Sequence, residues 1–284
     1  MVTLPAAEIK ALVRLLKSDD ENTTKLLFEQ LKTFDVTLLR DIDREISPED
    51  INLRKRFLNH LLRSRRESLK EEFLKWAKSK VPVLEEGIYL IAQFNNPLVD
   101  ISCYSKILGK WAEELSEKIK NVKLPGDPTS VINEVNHFLF MELGFRGNKK
   151  DYHEPDNSFI DRVIERRLGN PILLSSIYLL ITNKIGLPFK GVSMPAHFLV
   201  QYTESFGAVL VDPFNGGEIL TKDVCKERVK KLNLTWHEDY LETPNNKQII
   251  LRMMQNLINI YQNEGEVELK EYLGNYVAVV NNQS

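Results

Sequence analysis

The chain has 284 residues, a formal net charge of −2, 43% hydrophobic and 27% charged residues, and two cysteines. That length can bury a sizeable core and suggests about two domains, while the near-neutral balance removes any global pull toward nucleic acid. Cys103 and Cys225, far apart and without paired spacing, argue against a disulfide scaffold or a cysteine-based zinc site.

The first segment, MVTLPAAEIKALVRLLKSDD, mixes acids and bases in a helical pattern and lacks an apolar signal region and cleavage site. The longest apolar run, PILLSSIYLLI, contains two serines and is too short to span a bilayer. A cytoplasmic protein is therefore expected. Residues 1–80 read as short amphipathic helices: AAEIKALVRLLKS, ENTTKLLFEQLKTF, VTLLRDIDREI, and then SPEDINLRKRFLNHLL, with Ser47 as N-cap and Pro48 in the first turn. Their succession suggests stacked helical pairs similar to HEAT-type repeats. RKRFLNHLLRSRR carries six basic residues, but the following ESLKEE can pair with them along one helix, so a solvated face is expected.

A second unit, residues 81–240, begins with two helices, LEEGIYLIAQFNNP and DISCYSKILGKWAEELSEKIK. The loop LPGDPTS leads to an N-cap at Thr129 or Ser130 and the helix VINEVNHFLFMEL. The polar loop GFRGNKKDYHEPD precedes a helix, NSFIDRVIERRLG, read as ending at Gly169. NPILLSSIYLLITNKIG then opens with Asn170 as N-cap and Pro171 at the first helical position, and is apolar on nearly every face, which predicts a central buried helix. Strands follow at FKGVSM, HFLVQYT and GAVLVDPF. Residues 241–284 form a last helical pair, similar to a single tetratricopeptide-type unit, which must dock on the preceding domain to bury its apolar face.

Alternation in HFLVQYT and GAVLVDPF predicts a β-hairpin with its turn between Ser205 and Phe206. Facing residue numbers then sum to about 411, and His197 with Asp212 sums to 409, so the two stand within side-chain reach. His197 is expected to open one strand and Asp212 to close the other. A histidine held by a carboxylate is the orienting half of many acid–base sites, and equally an ordinary polar pair at a sheet end; a third member decides.

The stretches NEVNHFLFMELGFRGNKKDY, NSFIDRVIERRLGNPILLSSIYLLITNKIGLPFKGVSMPAHFLVQ and VDPFNGG together resemble the bacterial SirB-type family with its transglutaminase-like core, over roughly residues 81–260. The resemblance implies an α+β, mostly helical fold: a transglutaminase/papain-like core in which a central helix packs on a short antiparallel sheet, preceded by the N-terminal helical repeat-like unit. It implies that His197 stands at the catalytic histidine, Asp212 at the acid orienting it, and the nucleophilic cysteine at the start of the central helix. Counting fifteen residues back from Gly186 reaches Pro171, which has no nucleophilic atom, and neither Cys103 nor Cys225 lies at that helix start. Ser175, one turn further on, is expected to bond a carbonyl of the preceding turn instead of attacking a substrate.

The expectation is a transglutaminase-like protein that has lost its cysteine and acts by binding a protein or peptide partner through its helical regions. The alternative is a hydrolase or acyl-transfer enzyme in which His197 acts as general base, oriented by Asp212 and assisted by Asn170. An open pocket at His197 is required for the second. No cofactor is expected, and no metal: Glu134, His137, Asp151, His153 and Glu154 lack any His-x-x-x-His or His-Glu-x-x-His spacing.

Overall fold

A computed structural model describes residues 4–18, 20–120, 122, 128–204 and 207–282. Three helices, α1 (Ala6–Leu16), α2 (Glu21–Leu31) and α3 (Val36–Glu45), lead into the long α4 (Ile51–Lys78). The basic run lies within α4, where Arg54, Arg65 and Arg66 turn inward onto Asp43, Glu72 and the Phe94 carbonyl. The helix starts later than Ser47 predicts. Asp50 N–H closes a turn on the Ser47 carbonyl, and Pro48 falls in that turn and not in the helix.

The helix α4 belongs to two apolar clusters. Its N-terminal half gives Leu53, Phe57 and Leu61 to a cluster shared with α1–α3, and its C-terminal half gives Leu69, Phe73 and Trp76 to the main core. Next come α5 (Leu84–Asn95), α6 (Ile101–Ile119) and α7 (Pro128–Asn136). Thr129 and Ser130 sit inside α7 and do not cap it. The helix read as VINEVNHFLFMEL changes at His137 into a π-helical turn, His137–Glu142. A widened turn of this kind shifts the face that the next residues present.

After β1 (Arg146–Gly147) and a 3₁₀ turn at Pro155–Ser158 comes α8 (Ile160–Arg166). It stops three residues short of the predicted end, because Arg167 takes the left-handed conformation at φ 60° and its guanidinium stacks on Trp111 and Phe145. Leu168–Gly169 is instead a short strand, β2, parallel to β1.

The central helix α9 (Pro171–Lys184) is buried at every residue from Pro171 to Thr182. Beside it lies an antiparallel sheet ordered β3 (Phe189–Val192), β4 (Leu199–Glu204), β5 (Gly207–Asp212), β6 (Glu218–Leu220). The period-two alternation gives the sheet two apolar faces. Phe189, Val200, Tyr202 and Val211 face the core that holds α9, whereas Val192, Leu199, Leu210 and Leu220 pack with Cys225 and Val229 of α10 (Lys222–Lys231). Helices α11 (Asn246–Glu264) and α12 (Val267–Asn281) complete the main core, and the Tyr276 hydroxyl donates to the Arg66 carbonyl at 2.5 Å. The fold is α+β and mostly helical, with a central helix on a short antiparallel sheet. No described helix is long and apolar enough to cross a membrane.

Two glycines make contrasting tests of this packing. A Cβ on Gly147 would stand 2.5 Å from the Phe214 carbonyl oxygen and 2.6 Å from its ring, whereas one on Gly109, in the middle of α6, meets nothing within 4 Å. Gly109→Ala should therefore stabilise the protein by about 0.5–1 kcal/mol through helix propensity, and Gly147→Ala should destabilise it by about 1–3 kcal/mol. Urea unfolding of both variants checks this, and equal effects would contradict the packing.

Candidate functional site

The hairpin register is Val200 opposite Val211 through Glu204 opposite Gly207, so facing numbers sum to 411 as the alternation predicts. The turn itself, Ser205 and Phe206, lies outside the described residues. His197 does not open the strand, which starts two residues later at Leu199. The reason is local: Ala196 adopts a left-handed φ of 54°, and His197 N–H closes a turn on the Met194 carbonyl. A non-glycine residue in that region carries strain that its surroundings must offset.

The offset comes from α11. The Arg252 guanidinium donates to Ser193 Oγ, to the Met194 carbonyl at 2.6 Å and to the His197 carbonyl at 2.7 Å. It thereby clamps both ends of the turn that carries the histidine. His197 Nε2 stands 2.9 Å from Asp212 Oδ1, with 17% of the histidine side chain exposed and none of the aspartate. The separation is that of a hydrogen bond but the ring N–H is not aligned with the oxygen, so proximity more than an ideal bond joins the pair.

Asp212 is held from its other side as well. Arg228 of α10 reaches Oδ2 at 2.6 Å and spans to Glu218, and the Asn215 side chain donates to Oδ2 at 2.8 Å. Burial alone would raise the Asp212 carboxyl, but the His197 ring, Asn215 and Arg228 outweigh it and bring it down to about 2. The carboxylate stays ionised, and its charge is balanced inside the protein.

Asn170 caps α9 as expected: its Oδ1 accepts from Leu173 N–H at 2.9 Å, and its Nδ2 donates to Ser158 Oγ at 2.9 Å. Pro171 occupies the first helical position. Ser175 departs from expectation, because its hydroxyl bonds the Phe198 carbonyl at 3.1 Å, across to the chain entering β4. It is Ser176 that bonds back to its own helix, on Ile172 at 2.8 Å. The difference follows from facing: Ser175 lies on the sheet side, where Phe198 has a free carbonyl. Being fully buried and committed, Ser175 is a tie between helix and sheet.

Asn170, Pro171 and His197 all line one open cleft of about 280 Å³. Two further walls were not read from the sequence. A loop carrying Tyr152 and His153 is pinned by two buried amides: Asn148 Nδ2 donates to Asn157 Oδ1, and Asn157 Nδ2 donates to the Asp151 carbonyl. The opposite wall is α11, whose Arg252, Asn256, Asn259 and Asn263 recur at helical spacing on one face. That polar stripe on an otherwise amphipathic helix was the available signal, as Arg228 was for Asp212. Cys103 is exposed on α6, and Cys225 is buried under the sheet, where burial pushes its thiol up. Among the described residues no three His, Cys, Asp or Glu side chains gather as a metal cluster.

Two outcomes follow. Asn170→Ala should cost about 1 kcal/mol of stability through the lost cap, measured by urea unfolding. The folded Asp212 titrates below its ordinary value of 3.8, so its charge contributes stability above that value and loses it as pH falls toward about 2. Wild type should therefore exceed Asp212→Asn by on the order of 2 kcal/mol more at pH 7 than at pH 2. A difference that does not change with pH would show that the carboxylate is not coupled to its cationic neighbours.

The family model described as the transglutaminase-like superfamily matches residues 103–255. A UPF0162 protein of Xylella fastidiosa is 35% identical over 189 residues, covering 64% of this chain and 66% of its own length. Protein SirB1 of Salmonella typhimurium is 27% identical over 136 residues, 46% of this chain and 50% of its own. F-box only protein 21 of Homo sapiens is 27% identical over 207 residues, 63% of this chain and 32% of its own. The chain thus spans just under two thirds of the Xylella relative and less of the other two. No solved structure matches. With the matched segment holding α9, the hairpin, His197 and Asp212, the chain belongs to the transglutaminase-like superfamily and has SirB1 and the UPF0162 proteins among its relatives.

Proposed function

We propose that this protein works by binding, with the cleft over Asn170, Pro171 and His197 receiving a segment of a partner protein without thiol-based acyl transfer. One observation carries the reading: the start of α9, which lines the same cleft as His197, is Pro171, and the two thiols lie elsewhere. Thiol catalysis needs a sulfur over a helix N-terminus and beside an imidazole, where the dipole and a cation favour the thiolate. In this reading Pro171 stands at that place and brings no sulfur to it. The nearby hydroxyls of Ser158 and Ser175 are buried in hydrogen bonds.

In the same reading residues 1–80 form a helical, HEAT-like unit, 81–240 the transglutaminase-like core, and 241–284 a tetratricopeptide-like pair docked on it, with the helical units offering further partner surface in the cytoplasm. The separate apolar cluster of α1–α3 with the first half of α4 supports an N-terminal helical unit, although the second half of α4 packs in the main core. A second reading is favoured by the openness of the cleft: His197, held by Asp212, acts as general base on a water or substrate proton.

Peptide hydrolysis and transamidation assays separate the two. Wild type should show no turnover, before or after alkylation of the exposed Cys103, and Cys225→Ser should show none either. Turnover that disappears in His197→Ala would favour the general-base enzyme. A structural counterpart uses Pro171→Cys in a background of Cys103→Ser and Cys225→Ser. The new thiol should titrate below the ~8.5 of a free cysteine, read from the pH dependence of iodoacetamide alkylation, and His197→Ala should raise it again. An unshifted thiol would mean that the helix start does not address the histidine.

A further inference from the structure

The charge balance of the cleft is one-sided. Its lining contains Arg252, His153 and His197, together with Asn170, Asn256, Asn259 and Asn263, and no aspartate or glutamate. Asp212, which lies behind His197, is already balanced by Arg228. Arg252 is the unusual group. Its three hydrogen bonds go to neutral oxygens, its guanidinium lies 5.6 Å from the centre of the Phe198 ring, and none of the described carboxylates pairs with it. Its Nε takes no acceptor among the described residues and is not sealed from solvent. A mostly buried guanidinium is ordinarily paired, because an uncompensated charge in a partly desolvated site is costly. The N-terminal end of the 14-residue α9, capped by Asn170, adds potential of the same sign.

Beyond Arg252 the wall becomes neutral and amide-bearing. Asn256, Asn259 and Asn263 continue its face of α11, so the stripe from Arg252 runs about 16 Å, the span of four to five extended residues. Amide side chains both donate and accept, which matches the alternating N–H and C=O of a peptide backbone. Asn256 has no partner among the described residues, and Phe198 and Ile260 supply apolar floor. Resting on the binding reading above, we infer that the cleft holds the carboxyl terminus of a partner polypeptide. The terminal carboxylate sits against Arg252 and His197, and the preceding residues run along the asparagine stripe. A carboxylate carries the charge complementary to Arg252 and takes the Nε–H that the turn leaves without an acceptor, whereas the neutral amide of a chain interior brings no such charge, so the end of a chain is distinguished from its interior.

The test uses a pool of fluorescein-labelled random pentapeptides with free carboxyl termini, the same pool amidated, and N-acetylglycine as a small carboxylate, each titrated with the full chain by fluorescence polarisation. The free-carboxylate pool should bind at least about tenfold more tightly than the amidated pool. Asn256→Asp should abolish that preference by placing a negative charge beside Arg252 without removing a protein hydrogen bond, and unfolding curves would show the variant folded. Arg252→Lys should weaken binding, as a second variant, because a lysine ammonium lacks the Nε–H that Arg252 presents beside the turn. Equal binding of the two pools would overturn the carboxyl-terminus inference and leave the binding reading standing. Binding by neither pool would overturn both. N-acetylglycine competing as well as the pentapeptides at equal concentration would reassign the site to a small carboxylate and equally overturn it. A preference that survives Asn256→Asp would place the carboxylate elsewhere on the chain.

Discussion

The structure depends on the burial of α9 on all sides. A helix that is apolar all round cannot meet water on any face, so other elements must enclose it. The sheet takes one side, α5, α6 and α11 contribute to the same core, and the turn that carries His197 closes over its start. Because Pro171 cannot donate, Asn170 Oδ1 takes the Leu173 amide and the Asn170 carbonyl takes the Leu174 amide, the helix can begin inside the protein with most of its first-turn donors met. The ties that place the start of α9 are polar: Ser175 to the Phe198 carbonyl, and Asn170 to Ser158. Apolar burial holds the helix, and these bonds set its register against the strand.

The charges around the hairpin are arranged in depth. Asp212 lies at the inner position, with His197 toward the cleft and Arg228 toward the outer face of the sheet. A buried carboxylate with a single partner would be a liability, and shared among an imidazole, an amide and a guanidinium it is a fixed dipole on which the ring can lean. Arg252 has a different position. It spends its bonds on the backbone of a strained turn, and the C-terminal helices thereby become part of the site instead of an appendage.

This arrangement explains why the site's geometry does not depend on a thiol. The helix start, the imidazole and the acid each have structural partners of their own: α9 is needed by the core, Asp212 by Arg228 and Glu218, and the His197 turn by Arg252. None of these bonds requires a nucleophile. A proline at the first helical position suits the helix at least as well as a cysteine would.

Much of the fold could be read from local pattern. Sequence alone determined the all-round apolar α9 and its Asn-Pro start, the hairpin register that brings His197 near Asp212, and the absence of a thiol at the helix start, because period and spacing are properties of the chain itself. Helix ends were read less well: Arg167 stops α8 early by stacking on aromatic rings that are distant in sequence, and a π turn interrupts α7. Ser175 was read as bonding within its own helix, since nothing in the sequence places Phe198 beside it. Tertiary structure alone decided that Arg228 balances Asp212, that Arg252 clamps the His197 turn, and that the cleft is open and free of carboxylates. The reason is physical: these are bonds from arginine side chains to groups 16 to 59 residues away, set by how whole elements pack, and no local period carries that information.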